Sequence, residues 1–168
     1  MPDELAKNGG TIEMVAAGES KTLEISPGKA ETQKETPAPY RGYKDSSQVH
    51  VKSYTRAGLQ EFGGHASNLR CGSYGPGSWG LCHIGERHKG GWANRGAGTD
   101  WFDMMEFATK LTLKKSQIVV RKANDTYNYC APVKLKCKGK TYDTFNTNAS
   151  VSFKGTNIIT TYQAKKCE

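Results

Sequence analysis

The sequence predicts a mainly β protein: an antiparallel meander or sandwich, or a small β-prism, with one short helix and a glycine-rich insertion. Short segments with apolar and polar residues in alternation recur along the chain, and clusters of Asn, Asp, Gly and Lys separate them. Nineteen glycines in 168 residues and an apolar content of 36% favour turns and short strands over long helices. The length suits one folding unit spanning residues 1 to 168, with a core large enough to need no disulfides.

The elements follow in order. Thr11 to Val15 and Lys21 to Ile25 alternate around the turn material Gly18-Glu19-Ser20, which predicts a hairpin over residues 11 to 26. Residues 28 to 47 hold Pro37 and Pro39 among Lys, Glu, Thr and Ser with almost nothing to bury, and read as an extended connector. Gln48 to Thr55 alternates again as a third strand. Residues 58 to 98 contain 12 glycines in 41 positions, which opposes regular helix or strand interiors and predicts an insertion outside the sheet. Thr99-Asp100 caps a short helix over Trp101 to Lys110, with Trp101, Met104, Met105 and Ala108 on one face. Residues 111 to 163 form the basic, β-rich part, with strands at 111 to 120, 133 to 137, 141 to 145, 149 to 153 and 157 to 162.

Charge is split along the chain. From Lys110 onward there are 12 Lys and Arg against 3 acids, whereas residues 1 to 109 carry 12 against 13. In Val133 to Lys138 a period of two places Val133, Leu135 and Cys137 on one face and Lys134, Lys136 and Lys138 on the other, with Lys140 continuing the row. Val151 and Phe153 join the inward set. Such a row attracts a polyanion or keeps an edge strand soluble. Nucleic acid would use it with Tyr127, Tyr129, Tyr142, Phe145 and Tyr162 as stacking platforms, although Arg121 is the sole arginine of this region.

No apolar run is long enough for a membrane span, and the first residues lack the basic and apolar regions of a signal peptide. A cytoplasmic start with reduced thiols is therefore the expectation; export by a route that needs no signal peptide would change it. Of the five cysteines, Cys71 with Cys82 and Cys130 with Cys137 are spaced to close small loops, leaving Cys167 as the odd one.

Candidate chemistry concentrates in the glycine-rich segment. Cys71, Cys82, His83 and His88 are zinc-ligand residue types, but Cys82 and His83 are adjacent and no knuckle spacing is present, so no cofactor is expected, with zinc as the alternative. Cys71-Gly72-Ser73 resembles the surroundings of a papain-type nucleophile, yet no histidine follows His88 to act as its base. Glu86, Asp100, Asp103 and Glu106 are available carboxylates whose ordinary roles are caps and dipole partners. Trp79 and Trp92, large rings among glycines, are candidate contact residues for a protein partner.

Several stretches resemble the PAAR-like proteins that tip the type VI secretion spike of bacteria. They are Met1-Pro2-Asp3 with Asn8-Gly9, Ala17 to Leu23, Pro37-Ala38-Pro39-Tyr40, Ala108 to Lys122, Lys138-Gly139-Lys140 and Val151 to Ile159. They span about half the chain, with the glycine-rich segment between them as an insertion. The resemblance implies a non-enzymatic assembly protein docked on a trimeric spike, with the insertion displayed at its tip. A small toxin or effector enzyme exported without a signal peptide, its site in the same insertion, is the alternative.

Overall fold

The computed structural model describes residues 7–25, 48–58, 66–95, 100–115, 118–122, 124–152 and 156–168. The predicted connector over residues 28 to 47 lies outside the described residues, as does Phe153. Strand exceeds helix, 48% against 26%, and the pairing is antiparallel, so the protein is mainly β. In chain order the elements are β1 (Gly10–Ala16), β2 (Glu19–Ile25), β3 (His50–Thr55), β4 (Ala66–Arg70), α1 (Gly80–Arg87), α2 (Lys89–Arg95), α3 (Trp101–Lys115), β5 (Ile118–Arg121), β6 (Tyr127–Cys137), β7 (Lys140–Val151) and β8 (Ile158–Ala164).

The larger sheet curls into a half-barrel with the order β2-β1-β6-β7-β8. β5 pairs with the first part of β6 and β1 with the last part. Two hairpins are closed by two-residue turns, Ala17-Gly18 and Lys138-Gly139, both residues of each at positive φ. That geometry matches the right-handed twist of the flanking strands. The first hairpin therefore turns one residue earlier than Gly18-Glu19-Ser20, and Glu19 and Ser20 already belong to β2. β3 and β4 form a separate two-stranded sheet.

Alternation sorts the strands into two faces. The concave face carries Ile12, Met14, Ala16, Leu23, Ile25, Tyr127, Tyr129, Val133, Leu135, Phe145, Ala149 and Val151, all buried. α3 packs into this concavity against β6 and β7. Its first turn is capped by Asp100, whose carboxylate accepts from the backbone N–H of Phe102 at 2.8 Å and of Asp103 at 3.3 Å.

Where the chain was read as strand from residue 111, helix continues to Lys115. Trp101, Met104, Met105, Ala108, Leu111 and Thr112 recur at helical spacing and are all buried, so extending the helix keeps Leu111 and Leu113 in the core. β7 is one strand of 12 residues where two were expected. Asn146 to Asn148, read as a turn, are ladder residues whose amides find partners on the convex face.

Those partners come from the chain end. Asn146 Nδ2 donates to the Lys165 carbonyl at 3.0 Å and Asn148 Nδ2 to the Lys166 carbonyl at 3.1 Å. Asn148 Oδ1 accepts from Asn128 Nδ2 and from the Glu168 N–H, each at 2.9 Å. Beside this ladder Cys130 and Cys167 form a disulfide with their Cα atoms 5.7 Å apart, while Cys71, Cys82 and Cys137 are free and buried. The expected reduced state and the 71/82 and 130/137 pairings are corrected accordingly. Cys137 lies on the concave side of β6, seven residues from Cys130 and on its opposite face, whereas Cys130 faces the tail.

Candidate functional site

The described part of the glycine-rich segment is not irregular. It contributes β4, α1 and α2, and the described part of it from Ala66 to Arg95 is layered against β8 and α3. The entry into this layer is a tight crossing. Cys71 accepts the Cys82 N–H on its carbonyl at 2.8 Å, and the Ser73 N–H reaches the Trp79 carbonyl at 3.0 Å. Gly72 has φ +71, and a Cβ built there would lie 1.8 Å from the Trp79 oxygen; at Gly80 it would lie 2.7 Å from the Arg70 oxygen. Glycine at these two places is what lets the chain double back and start α1.

Cys71 and Cys82 meet at this crossing. Burial pushes both thiols up, and each is raised further by a neighbouring acidic group, Cys82 for Cys71 and Glu86 for Cys82, with the Tyr74 hydroxyl acting the other way on Cys82. The hydrogen bond with Cys82 and burial push the Tyr74 phenol up to about 12. These are protonated thiols, the opposite of the thiolate a nucleophile needs.

The histidines lie further along the same helix. His83 is half-buried, with Nδ1 2.7 Å from Ser78 Oγ, and its ring meets that of His88 edge-on at 5.3 Å between centroids. His88, at the C-terminal end of α1, stacks on Tyr162 of β8 at 5.2 Å. Burial, then His83 and Arg87, hold the His88 imidazole down at about 4; burial and Arg87 also lower His83. Both rings are neutral at pH 7. Among the described residues no three or more His, Cys, Asp and Glu side chains are arranged to hold a metal ion. The thiols join at the crossing while the imidazoles turn towards Ser78 and Tyr162, because successive helix positions are about 100° apart.

The two tryptophans part company. Trp92 is fully buried in α2, edge-on to Phe145 of β7 at 5.8 Å, with its Nε1 donating to the Thr161 carbonyl at 3.4 Å. Trp79 is half-buried at the N-cap of α1, between Ser78 and the glycine crossing. Tyr74, exposed, completes that end of the layer.

At the other end, an open groove of about 470 Å³ runs between α2 and strands β7 and β8, lined by Gly91, Asn94, Arg95, Tyr142, Asp143 and Gln163. Arg95 Nη1 donates to both carboxylate oxygens of Asp143, at 3.0 and 2.8 Å, and its guanidinium lies over the Phe145 ring at 4.8 Å. Burial, then Asp143, push the Tyr142 phenol up to about 12. None of these residues stood out in the sequence as binding groups except Tyr142, which was read as a stacking platform. Only the fold brings residue 95 to residue 143.

The remaining candidates have placed roles. Asp100 caps α3, Glu106 pairs with Lys52 of β3, and Glu86 accepts from the Gly75 N–H at 3.3 Å and pairs with Arg87 at 3.5 Å. Lys134 is exposed and Lys136 half-buried on the convex face of β6, where Lys136 lies opposite Glu13 of β1. Lys138 occupies the hairpin turn, and Lys140 returns on β7 opposite Cys137. The row is thus two lysines long on its strand, beside an acid. Tyr127, Tyr129 and Phe145 are buried in the concave face, which removes them as stacking platforms for bases.

No family model, curated protein or solved structure matches this chain. No helix among the described residues is long and apolar enough to cross a membrane.

Proposed function

We propose that the chain is a non-enzymatic interaction protein, whose sheet is a scaffold and whose α1–α2 layer is the contact surface. The observation that carries this reading is the arrangement of that layer. It is pinned at Trp92 and at the glycine crossing, yet holds Tyr74, Trp79 and His83 at least partly open at one end. Aromatic side chains on a rigid support lose little entropy when a partner covers them, which is the economy of an interface anchor. The reactive groups fit the same view, since the thiols are buried and protonated and the carboxylates serve caps and ion pairs. The Cys130–Cys167 disulfide suits work in an oxidising compartment, reached by export.

The resemblance to PAAR-like proteins suggests the partner, a trimeric secretion spike. Sedimentation of the chain mixed with such a trimer tests it. One chain per trimer is expected, with Tyr74→Glu weakening the complex by about tenfold or more. No complex with the unaltered chain, or full binding by Tyr74→Glu, contradicts the proposal.

A second reading, a small exported effector enzyme, is favoured by one contact: the Ser78 hydroxyl 2.7 Å from a neutral His83 nitrogen, the pairing of a nucleophile with its base. Loss of a hydrolytic or toxic activity in Ser78→Ala at unchanged Tm would favour it over assembly.

A further inference from the structure

We infer that the groove between α2 and strands β7 and β8 is a binding site for a neutral, polyhydroxylated ring compound, a saccharide unit. This goes beyond the assembly reading and is independent of whatever partner covers Tyr74 and Trp79.

Charge sets the first limit. Arg95 and Asp143 neutralise each other within the groove, so a free anion would have to displace the carboxylate and a cation the guanidinium. The pair is not spent, however. Only Nη1 of the guanidinium reaches Asp143, which leaves its other N–H groups without a partner among the described residues, and each carboxylate oxygen keeps lone-pair capacity. Both side chains are open to solvent by more than a quarter, 27% and 29%.

Geometry sets the second. Guanidinium, carboxylate and the amides of Asn94 and Gln163 are all planar groups that present a donor and an acceptor, or two of one kind, side by side. Paired hydroxyls on adjacent ring carbons, each a donor and an acceptor, complement such groups with two bonds at once. The Tyr142 hydroxyl adds a further group: it is buried with no hydrogen-bond partner among the described residues. A buried orphan hydroxyl at the wall of a polar groove is satisfied when a ligand hydroxyl meets it. An extended peptide is the competing occupant, because β8 is the last strand of its sheet and its edge could pair a backbone, and trialanine in the titration below separates the two. The volume lies within the usual span of small-molecule sites, roughly 300–1,000 Å³.

Gly91 supplies the test. A Cβ built there would come 1.9 Å from Gln163 Nε2, the far end of a flexible side chain, so Gly91→Ala moves that amide and fills part of the groove while leaving the backbone path open. The experiment is an NMR titration of backbone and side-chain amides with N,N′,N″-triacetylchitotriose and maltotriose, alongside inorganic phosphate and trialanine, at low and high salt. At least one saccharide is expected to shift Gly91, Asn94 and Gln163 saturably, with an affinity unchanged by salt. Gly91→Ala should weaken it about tenfold or more at near-normal Tm, and Asn94→Ala, at an exposed position, about threefold or more. Absence of groove shifts with both saccharides overturns the inference. So do preferential binding of phosphate or trialanine, and saccharide binding unaffected by both variants.

Discussion

Two segments cover the sheet, the glycine-rich α1–α2 layer and the polar tail from Lys165 to Glu168, and they are held by opposite means. The α1–α2 layer docks by fully buried apolar side chains, Leu81, Ile84 and the largest pin, Trp92 against Phe145 of the concave face, and by glycines that let backbones touch. On the convex side the tail from Lys165 to Glu168 has no apolar pin. It is strapped by the Asn128–Asn148 ladder and by the Cys130–Cys167 bond. The difference teaches that glycine density does not imply mobility: where a glycine removes a Cβ that would clash, it allows tight packing that a larger residue forbids. A polar tail needs fixed partners or a covalent link, because burial alone offers it little.

The comparison breaks most visibly at Trp92. Trp92→Ala should cost about 3–5 kcal/mol, as for large-to-small changes in a packed core, and loosen the α1–α2 layer together with β8. Calorimetric or denaturant unfolding measures it, and a cost below about 1 kcal/mol would mean the pin does not hold the layer.

Cutting the strap comes next. Cys130→Ser with Cys167→Ser opens a link between residues 37 apart, at a cost of about 2–4 kcal/mol, with the tail released and the concave core intact. Hydrogen exchange should rise at the tail and on the convex ladder first. Loss of the concave core in the same step would show that the two coverings are not separable.

A smaller effect is expected from Asn148→Ala, which leaves the Lys166 carbonyl, the Glu168 N–H and the Asn128 amide without their partner, at about 1–3 kcal/mol. In the protein lacking the disulfide the same change should cost less, since the tail is already free. A double-mutant cycle reads that coupling, and strict additivity would deny that ladder and disulfide act on one element.

The last effect concerns pH and is confined to acid. His88 is depressed from an ordinary 6.5 to about 4 in the folded protein, so the unfolded chain takes up its proton first as pH falls. Its contribution to stability is complete above the ordinary value and is lost as pH falls through the window down to about 4. His88→Gln should flatten the Tm-against-pH curve in that window. An unchanged slope would mean that His88 is not held neutral by its place between His83 and Tyr162.

Much of the scaffold was legible because it obeys a period of two. Ile12, Met14, Val133, Leu135 and Val151 announce their face by alternation, and the concave core follows from it. The helical stripe in α3 was legible too, but only by following Met104, Met105 and Ala108 on to Leu111 and Thr112; stopping at Lys110 turned a buried helix end into a strand. Asn146 and Asn148 misled because an isolated Asn favours turns, and the tail that satisfies them lies about twenty residues away. A longer separation, 37 residues, hid the Cys130–Cys167 pair behind the nearer Cys137. Of the candidate surface, His83 and Trp79 were visible as unusual residues among glycines. The Arg95–Asp143 groove was not, since neither residue has a local pattern that points to the other.

Native-state hydrogen exchange of the segment from Gly72 to Arg95 tests the central claim most directly, that this glycine-rich stretch is a docked and rigid contact layer. The account predicts that the amides of Cys82, which is bonded to the Cys71 carbonyl, and of His88, bonded to the Ile84 carbonyl, are protected within about tenfold of those in β6 and β7. Exchange of both at the rate of an unstructured chain, with β6 and β7 still protected, would contradict it.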